Sequence, residues 1–282
     1  MNLWYTEQEA ELIKLSFRTE KVLFSGQSEF QKIDVVETVP YGRLLTLDGC
    51  TMVSDHDEFV YHEMISHIPA LIHKNPKRVL VIGGGDGGTV TELTKHAGIE
   101  EIILCEIDGM VVDLCKQYFP NVARGLNDKR VKVNIGDGIA FIKKMKGELD
   151  IVVVDSTDPI GPGEGLFSRD FYKSVAAALK PDGIMVAQSE SPWFSKEILG
   201  RIQNNILGGF THKKSYVGAI PTYPRGLWSW TMAANVPFDQ RDFDRARFGK
   251  IKTGLKYLTE GGITAAFEIP MFFREKIGQL EG

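Results

Sequence analysis

The sequence has few cysteines, little excess charge and no long apolar run, and each shortage disfavours a class of protein. Its three cysteines form no Cys-x-x-Cys pair, and an odd number of cysteines favours the cytoplasm. No apolar run approaches the ~18 residues that span a membrane, and the residues after Met1 are polar and acidic, so we expect no secretory signal. The net charge of -4 disfavours nucleic acid as a partner. We therefore expect a cytoplasmic protein without membrane or nucleic-acid partners.

The chain is long enough to bury a core, and its pattern changes after residue 54. Residues 1–54 alternate between polar and apolar types and carry turn signals such as Pro40-Tyr-Gly42, which predicts a small antiparallel β domain. A predicted helix over residues 58–73 opens the second domain, 55–282. Apolar strands are then predicted near Val79, Ile102, Val131, Ile151 and Ile184, with helices between them. This alternation predicts a doubly wound, Rossmann-like α/β domain.

A glycine-rich loop follows the first of these strands. Gly83–Gly88 reads Gly-Gly-Gly-Asp-Gly-Gly after the apolar run Val79–Ile82, and a predicted helix begins near Thr89. Glycines let the backbone approach a ligand, and Glu106 ends the next apolar run, where doubly wound folds place a ribose-binding carboxylate. The pattern predicts a site for a nucleotide-like ligand, although a glycine-rich segment can also be an ordinary turn.

Asp86 within this loop restricts the ligand further. S-adenosylmethionine carries a carboxylate and an ammonium, whereas its decarboxylated form carries only the ammonium, on an aminopropyl arm. Asp86 would repel the first and pair with the second. The alternative is that Asp86 caps the following helix.

A second acidic segment, Asp155–Gly163, follows the strand near Ile151. The carboxyl ends of the strands border the binding crevice in open α/β sheets, so Asp155 and Asp158 should face the same opening as Asp86 and Glu106. Four carboxylates around one crevice suit a cationic substrate. Either aspartate alone could instead stabilise a turn. The glycines and prolines of this segment predict a loop that orders over bound ligand.

One pattern resembles a zinc site but has the wrong spacing. His62-Glu63 is followed by His67, so the two histidines are five residues apart and do not share a helical face. We therefore expect no metal.

The sequence resembles the spermidine synthases, a family of polyamine aminopropyltransferases, throughout its length. The matching segments are Asp57–Met64, Gly83–Gly88, Glu106–Asp108, Asp137-Gly138, Asp155–Gly163 and Ile220–Pro224. The resemblance implies a domain like that of the S-adenosylmethionine methyltransferases. It also implies transfer of an aminopropyl group from decarboxylated S-adenosylmethionine to a diamine, usually putrescine, which gives spermidine and methylthioadenosine. The donor would be a co-substrate rather than a resident cofactor, and the chain a homodimer or homotetramer.

The resemblance also implies a role for individual residues. Asp155 would be the catalytic base, Asp158 would hold the diamine, and Asp86 would bind the aminopropyl ammonium. The donor's nucleoside would contact Gln31, Glu106, Asp137, Gly138 and Pro162. The amine channel would be formed by Tyr61, His62, Ser156, Thr157 and Tyr223, with Gln188 and Glu190 as further candidates.

Three other functions compete with aminopropyl transfer. Methyl transfer from intact S-adenosylmethionine needs room for a carboxylate where Asp86 lies. A catalytically silent polyamine-binding protein would lack a competent base, whereas Asp155 and Tyr223 are both present. A dinucleotide oxidoreductase would need a second nucleotide half-site, which the sequence does not indicate.

Overall fold

The computed structural model describes residues 3–9, 13–158, 161–194 and 196–278, with the side chains of residues 9, 161 and 162 left out. Within this part of the chain, the N-terminal sheet is antiparallel and has five strands in sequence order. They are β1 (Leu3–Glu9), β2 (Ile13–Gln27), β3 (Lys32–Thr38), β4 (Gly42–Leu47) and β5 (Cys50–Ser54).

The second sheet has seven strands among the described residues, in the order β11-β12-β10-β9-β6-β7-β8. They are β6 (Arg78–Gly83), β7 (Glu101–Glu106), β8 (Val131–Ile135), β9 (Leu149–Asp155), β10 (Leu179–Gln188), β11 (His212–Ala219) and β12 (Leu227–Ala234). Strands β6 to β10 are parallel, whereas β11 and β12 run antiparallel at one edge.

Helices cover this second sheet and follow it to the C-terminal end of the described chain. They are α1 (Glu58–Ile72), α2 (Gly88–Thr94), α3 (Gly109–Tyr118), α4 (Gly138–Ile142), α5 (Arg169–Ala178), α6 (Lys196–Ile206), α7 (Arg245–Ile251), α8 (Glu260–Ala265) and α9 (Met271–Lys276). No helix of the described residues is long and apolar enough to cross a membrane.

The central strands are apolar on both faces because helices cover both. On β6, Val79 and Val81 pack into one core cluster with residues of α1, α2 and α3. The alternating residues Leu80 and Ile82 pack into a second cluster with residues of α4, α5 and α6. A side-chain period of two therefore sends successive residues of one strand into two separate cores.

The predicted fold class is confirmed, with two strands of the second sheet missed. The five predicted strands correspond to β6 to β10, and the helix predicted over residues 58–73 is α1. The hairpin β11–β12 was not predicted. Its strands are joined by the seven-residue loop 220–226, which contains two prolines and no two-residue turn motif typical of a hairpin. The division of the chain after residue 54 falls between β5 and α1 and stays a prediction.

The N-terminal sheet packs directly on the second domain. Ile33, Val35 and Leu45 share a core cluster with Met64 of α1. Asp57, just before α1, accepts hydrogen bonds from Ser54 at 2.6 Å and from the backbone N–H of Thr222 at 2.9 Å. One buried carboxylate thereby ties the end of the first sheet to the β11–β12 loop. These contacts hold the first sheet beside the carboxyl ends of the parallel strands.

Candidate active site

The cleft lies where the chain reverses its direction across the sheet. From β6 it continues to β7 and β8 on one side, whereas β9 and β10 lie on the other. Such a switch point leaves a crevice at the carboxyl ends of the neighbouring strands β6 and β9. The polar and glycine residues that line it are Gln31, Tyr61, His62, Gly83, Gly84, Gly85, Asp86, Glu106, Asp137, Gly138, Asp155, Ser156, Thr157, Gly163 and Tyr223.

The glycine loop fits this crevice because its backbone is crowded. Gly83 has a φ of +79°, and a Cβ there would lie 2.1 Å from the carbonyl oxygen of Asp155 on the paired strand. At Gly88 a Cβ would lie 2.2 Å from the ring of His62. The first glycine lets β6 end close against β9, and the second makes room for a functional side chain from α1.

Asp155 is the last residue of β9, and both of its carboxylate oxygens are held. Oδ1 accepts a hydrogen bond from the hydroxyl of Tyr61 at 2.6 Å, and Oδ2 accepts one from the hydroxyl of Thr89 at 2.6 Å. Burial and the negative charge of Asp86 raise the pKa of Asp155, against the opposing effects of His62 and the two hydroxyls. A buried carboxylate with a raised pKa accepts a proton more readily, as a general base requires.

Asp86 lies in a different electrostatic environment. Burial would raise its pKa, but the charge and hydrogen bond of His62, with the backbone N–H of Gly88, lower it below the usual value. The His62 Nε2 atom lies 3.1 Å from Asp86 Oδ1, and the N–H of Gly88 donates to the same oxygen at 2.6 Å. The N-cap of α2 is Gly87, so Asp86 precedes the cap and binds the first N–H of the helix, while it also lines the cleft. The two neighbouring aspartates have pKa values shifted in opposite directions.

Glu106 ends β7 on the other side of the glycine loop. Burial raises its pKa to about 7, although the backbone N–H of Asp108 opposes this by donating to Oε1 at 2.9 Å. The carboxylate of Asp108 accepts hydrogen bonds from Ser28 at 2.7 Å and from Gln31 Nε2 at 2.9 Å. The N-terminal domain is therefore connected to Glu106 through Asp108. Gln31 lines the cleft as well as holding Asp108.

Three further residues are assigned to the nucleoside. Asp137 is exposed and caps α4, accepting the backbone N–H of Ile139 at 2.7 Å. Gly138 begins α4 and is buried. Both line the same cleft. Pro162 is in a short 3-10 helix over residues 161–167, but its side chain lies outside the described part of the chain.

The residues assigned to the amine include Tyr61, which hydrogen-bonds to Asp155. Tyr61, Ser156, Thr157 and Tyr223 line the cleft. The hydroxyl of Tyr223 donates to the carbonyl oxygen of Met52 at 2.7 Å, so its proton is engaged by that carbonyl. Asp158 is half-buried. Its charge lies near Cys50, where burial of the thiol and the charge of Asp158 raise the pKa of Cys50 to about 12. The predicted ordering loop includes residues 159 and 160, which lie outside the described residues.

Sequence reasoning missed several residues that hold the site together. Thr89 binds Asp155, and Glu58 binds His62. Asp108 binds both Glu106 and Gln31. A local signal existed for Thr89, which directly follows the glycine loop, and for Asp108, which belongs to a matched segment. Gln188 is the last residue of β10 and Glu190 follows the strand. The Gln188 amide donates to the carbonyl oxygen of Thr157 at 3.3 Å.

The two histidines of the apparent zinc pattern have separate surroundings. His62 lies between Glu58 and Asp86. His67 is fully buried, with hydrogen-bond partners His96 at 2.9 Å and Glu92 at 2.8 Å. Among the described residues, no group of three or more His, Cys, Asp or Glu side chains could hold a metal ion.

The fold and the cleft together define a Rossmann-like α/β enzyme with an acidic site at its switch point. The model of the spermine/spermidine synthase domain matches residues 58–243, and that of the spermidine synthase tetramerisation domain matches residues 3–55. The chain therefore belongs to the spermine/spermidine synthase family and is a transferase, as its sequence motifs predict.

Curated relatives and solved structures agree over nearly the whole length. The chain is 43% identical over 277 residues to the polyamine aminopropyltransferase of Bacillus mycoides, covering 98% of this chain and 100% of the relative. It is 42% identical to that of Bacillus subtilis, covering 98% and 99%. A crystal structure of spermidine synthase in complex with the transition state analogue AdoDATO has a TM-score of 0.94 and 39% identity, covering 98% and 95%. The spermidine synthase of Thermotoga maritima has a TM-score of 0.93 and 38% identity, covering 98% and 94%.

Proposed function

We propose that this chain transfers the aminopropyl group of decarboxylated S-adenosylmethionine to putrescine, which yields spermidine and methylthioadenosine. The observation that carries the proposal is the pair Asp86 and Asp155 in one cleft, with the pKa of Asp86 lowered and that of Asp155 raised. Two carboxylates separated in this way can perform two tasks, holding a cation and accepting a proton.

The reaction needs a neutral amine in line with the carbon next to the sulfonium. The amine lone pair forms the new C–N bond while the C–S bond breaks. The bonding electrons of the C–S bond remain on sulfur, so the sulfonium becomes a neutral thioether. The proton lost by the amine passes to Asp155. A free carboxylate has a pKa of ~4 and an alkylamine a pKa of ~10, so the site must narrow this gap. Burial raises the pKa of Asp155, and the positive charge of the nearby sulfonium lowers the pKa of the amine, so both effects narrow the gap.

The donor is proposed to lie along the glycine loop. Glu106 accepts hydrogen bonds from the ribose hydroxyls, and Asp86 binds the aminopropyl ammonium. Gln31, Asp137, Gly138 and Pro162 surround the nucleoside. Asp86 would face the carboxylate of intact S-adenosylmethionine at short range, and this repulsion favours the decarboxylated donor. The donor is consumed in each turnover, so we propose no resident cofactor.

The acceptor is proposed to occupy the end of the cleft near Tyr61. Tyr61 hydrogen-bonds to Asp155 and therefore lies beside the point of attack. His62, Ser156, Thr157, Asp158 and Tyr223 complete this end, where acidic groups suit the second ammonium of a diamine. The Tyr223 oxygen retains acceptor capacity for the attacking amine although its proton is given to Met52.

A competition assay tests the choice of acceptor. The protein is given the decarboxylated donor with an equimolar mixture of putrescine, cadaverine, agmatine and spermidine, and the products are quantified by mass spectrometry. We expect the largest kcat/KM for putrescine. A larger value for another amine would replace putrescine in the proposal while leaving aminopropyl transfer in place.

Methylthioadenosine binding is expected to strengthen as the pH rises through 7. The pKa of Glu106 in the free protein is about 7, and only the ionised carboxylate accepts hydrogen bonds from both ribose hydroxyls. Protonation at lower pH removes one acceptor, so the Kd measured by calorimetry should be about tenfold larger at pH 6 than at pH 8. Glu106→Gln is the control and should remove this dependence. An equal pH dependence in that variant would contradict the role of Glu106.

Oligomerisation is proposed to involve the first sheet. Residues 3–55 match the spermidine synthase tetramerisation domain, and Trp4 and Val22 of this sheet are exposed apolar side chains. This favours a homotetramer over the homodimer, and the mass measured by light scattering distinguishes the two. A cytoplasmic location stays a prediction from the sequence.

A further inference from the structure

Glu58 contacts His62 on the side of the ring that faces away from Asp86. It begins α1, one helical turn before His62, so both side chains lie on the same face of the helix. Glu58 Oε2 lies 2.7 Å from Nδ1 of His62, and Asp86 Oδ1 lies 3.1 Å from Nε2. The side chain of His62 is 3% exposed. A buried imidazole therefore stands between two carboxylates, with one at each ring nitrogen.

This arrangement favours the imidazolium form of the ring. An ionised carboxylate only accepts hydrogen bonds, so each ring nitrogen must carry a hydrogen to satisfy its partner. Burial opposes a charge on His62, but Asp86 and Glu58 together raise its pKa well above the usual value. With two carboxylates and one imidazolium, the group keeps a net negative charge. Without Glu58, the cation would neutralise Asp86.

The charges around this group lie on two sides. On the cleft side, Asp155 and Tyr61 are the neighbouring titratable groups. On the other side, Glu58 lines a second, smaller cavity with three basic residues, Lys95, Arg124 and Lys256.

The other carboxylates of the second cavity have different partners. Glu63 accepts the backbone N–H groups of residues 256, 257 and 258, and Glu92 binds His67 and Lys95. The carboxylate of Glu58 is directed at His62 instead. Its interaction therefore bears on the catalytic cleft rather than on the packing of the C-terminal segment.

We propose that Glu58 is a positioning residue for the cation site: it holds His62 protonated, with Nε2–H directed at Asp86, and restores the negative charge that Asp86 needs to bind the aminopropyl ammonium. Asp86 then stays ionised and oriented before the donor arrives. The inference rests on the proposed function and deepens it, because Glu58 acts through His62 without touching the substrate.

The test combines histidine NMR with kinetics. The six histidines are labelled with ¹⁵N, and His62 is assigned by comparison with His62→Asn. Ring shifts are recorded against pH in the unliganded protein and in Glu58→Gln, which keeps the size and the acceptor oxygen but removes the charge. Glu20→Gln removes an equal charge from an exposed strand position and serves as the matched control. KM for the decarboxylated donor and kcat are measured for each protein.

We expect His62 to be protonated at pH 8, and its titration midpoint to fall by about one unit or more in Glu58→Gln. KM for the donor should rise about tenfold, with kcat within about threefold, since a charge-assisted contact supporting binding has been lost. Glu20→Gln should change neither. A neutral His62 at pH 8, or an unchanged midpoint or KM in folded Glu58→Gln, overturns the proposal. A protein without transfer activity would refute the proposed function, while the NMR result would still decide the state of His62.

Discussion

Asp155→Asn is expected to lower kcat about a thousandfold and to leave the Kd for methylthioadenosine within about threefold. General-base catalysis contributes ~10²–10⁴ to rate, and the asparagine amide cannot accept the proton that the attacking amine must lose. The nucleoside is assigned to Glu106 and its neighbours, so its binding does not depend on the charge of Asp155. Turnover with putrescine and calorimetry with methylthioadenosine measure the two quantities separately.

The hydrogen bonds of Asp155 affect how this variant is interpreted. Tyr61 and Thr89 each donate to one carboxylate oxygen, and asparagine keeps only one acceptor oxygen. One hydroxyl must therefore rotate, which predicts a small loss of thermal stability in addition to the loss of turnover. Asp170→Asn is the matched control, because the Asp170 side chain is 88% exposed and lies outside the cleft. An equal loss of turnover and nucleoside affinity in Asp155→Asn would instead indicate a disturbed cleft.

Asp86→Asn is expected to reduce kcat/KM for the decarboxylated donor about a hundredfold. The change removes the carboxylate that pairs with the aminopropyl ammonium, and charge-assisted hydrogen bonds in a partly dry site are among the stronger polar contacts. In the native protein the charge of Asp86 raises the pKa of His62, so the variant also removes an ionic partner of His62. The backbone N–H of Gly88 can still donate to the asparagine oxygen, so the loop should keep its shape.

Donor discrimination gives this variant a second measurement. The Kd for intact S-adenosylmethionine should change little or improve in Asp86→Asn, because the repulsion of its carboxylate is removed. The ratio of the Kd values for the two donors should therefore move toward one. An unchanged ratio in a folded variant would show that Asp86 does not select the donor.

The main elements of the fold could be predicted because their signals are local. The apolar runs of β6, β7 and β9 are bounded by polar residues and glycines, and they alternate with helical segments, which predicts parallel strands. The hairpin β11–β12 was harder to predict, because its strands are linked by a loop of several residues without a short turn motif. The carboxyl-end rule then placed Asp86, Glu106 and Asp155 in the same cleft from their positions in the chain alone.

The supporting contacts could not be predicted in the same way. Thr89 binds Asp155 across 66 residues and Tyr61 binds it across 94, and no periodicity connects such positions. The opposite pKa shifts of Asp86 and Asp155 also depend on burial and on the placement of His62. Glu58 lies one helical turn before His62 in the sequence, but the contact of His62 with Asp86 became evident only once α1 was seen beside the glycine loop.

The most direct test of the central claim identifies what is transferred. The purified protein is incubated with putrescine and either decarboxylated or intact S-adenosylmethionine, and the products are analysed by mass spectrometry. We predict spermidine and methylthioadenosine in equal amounts with the decarboxylated donor, and no product with the intact donor. Methylated putrescine from the intact donor, or no spermidine from the decarboxylated one, would contradict the account.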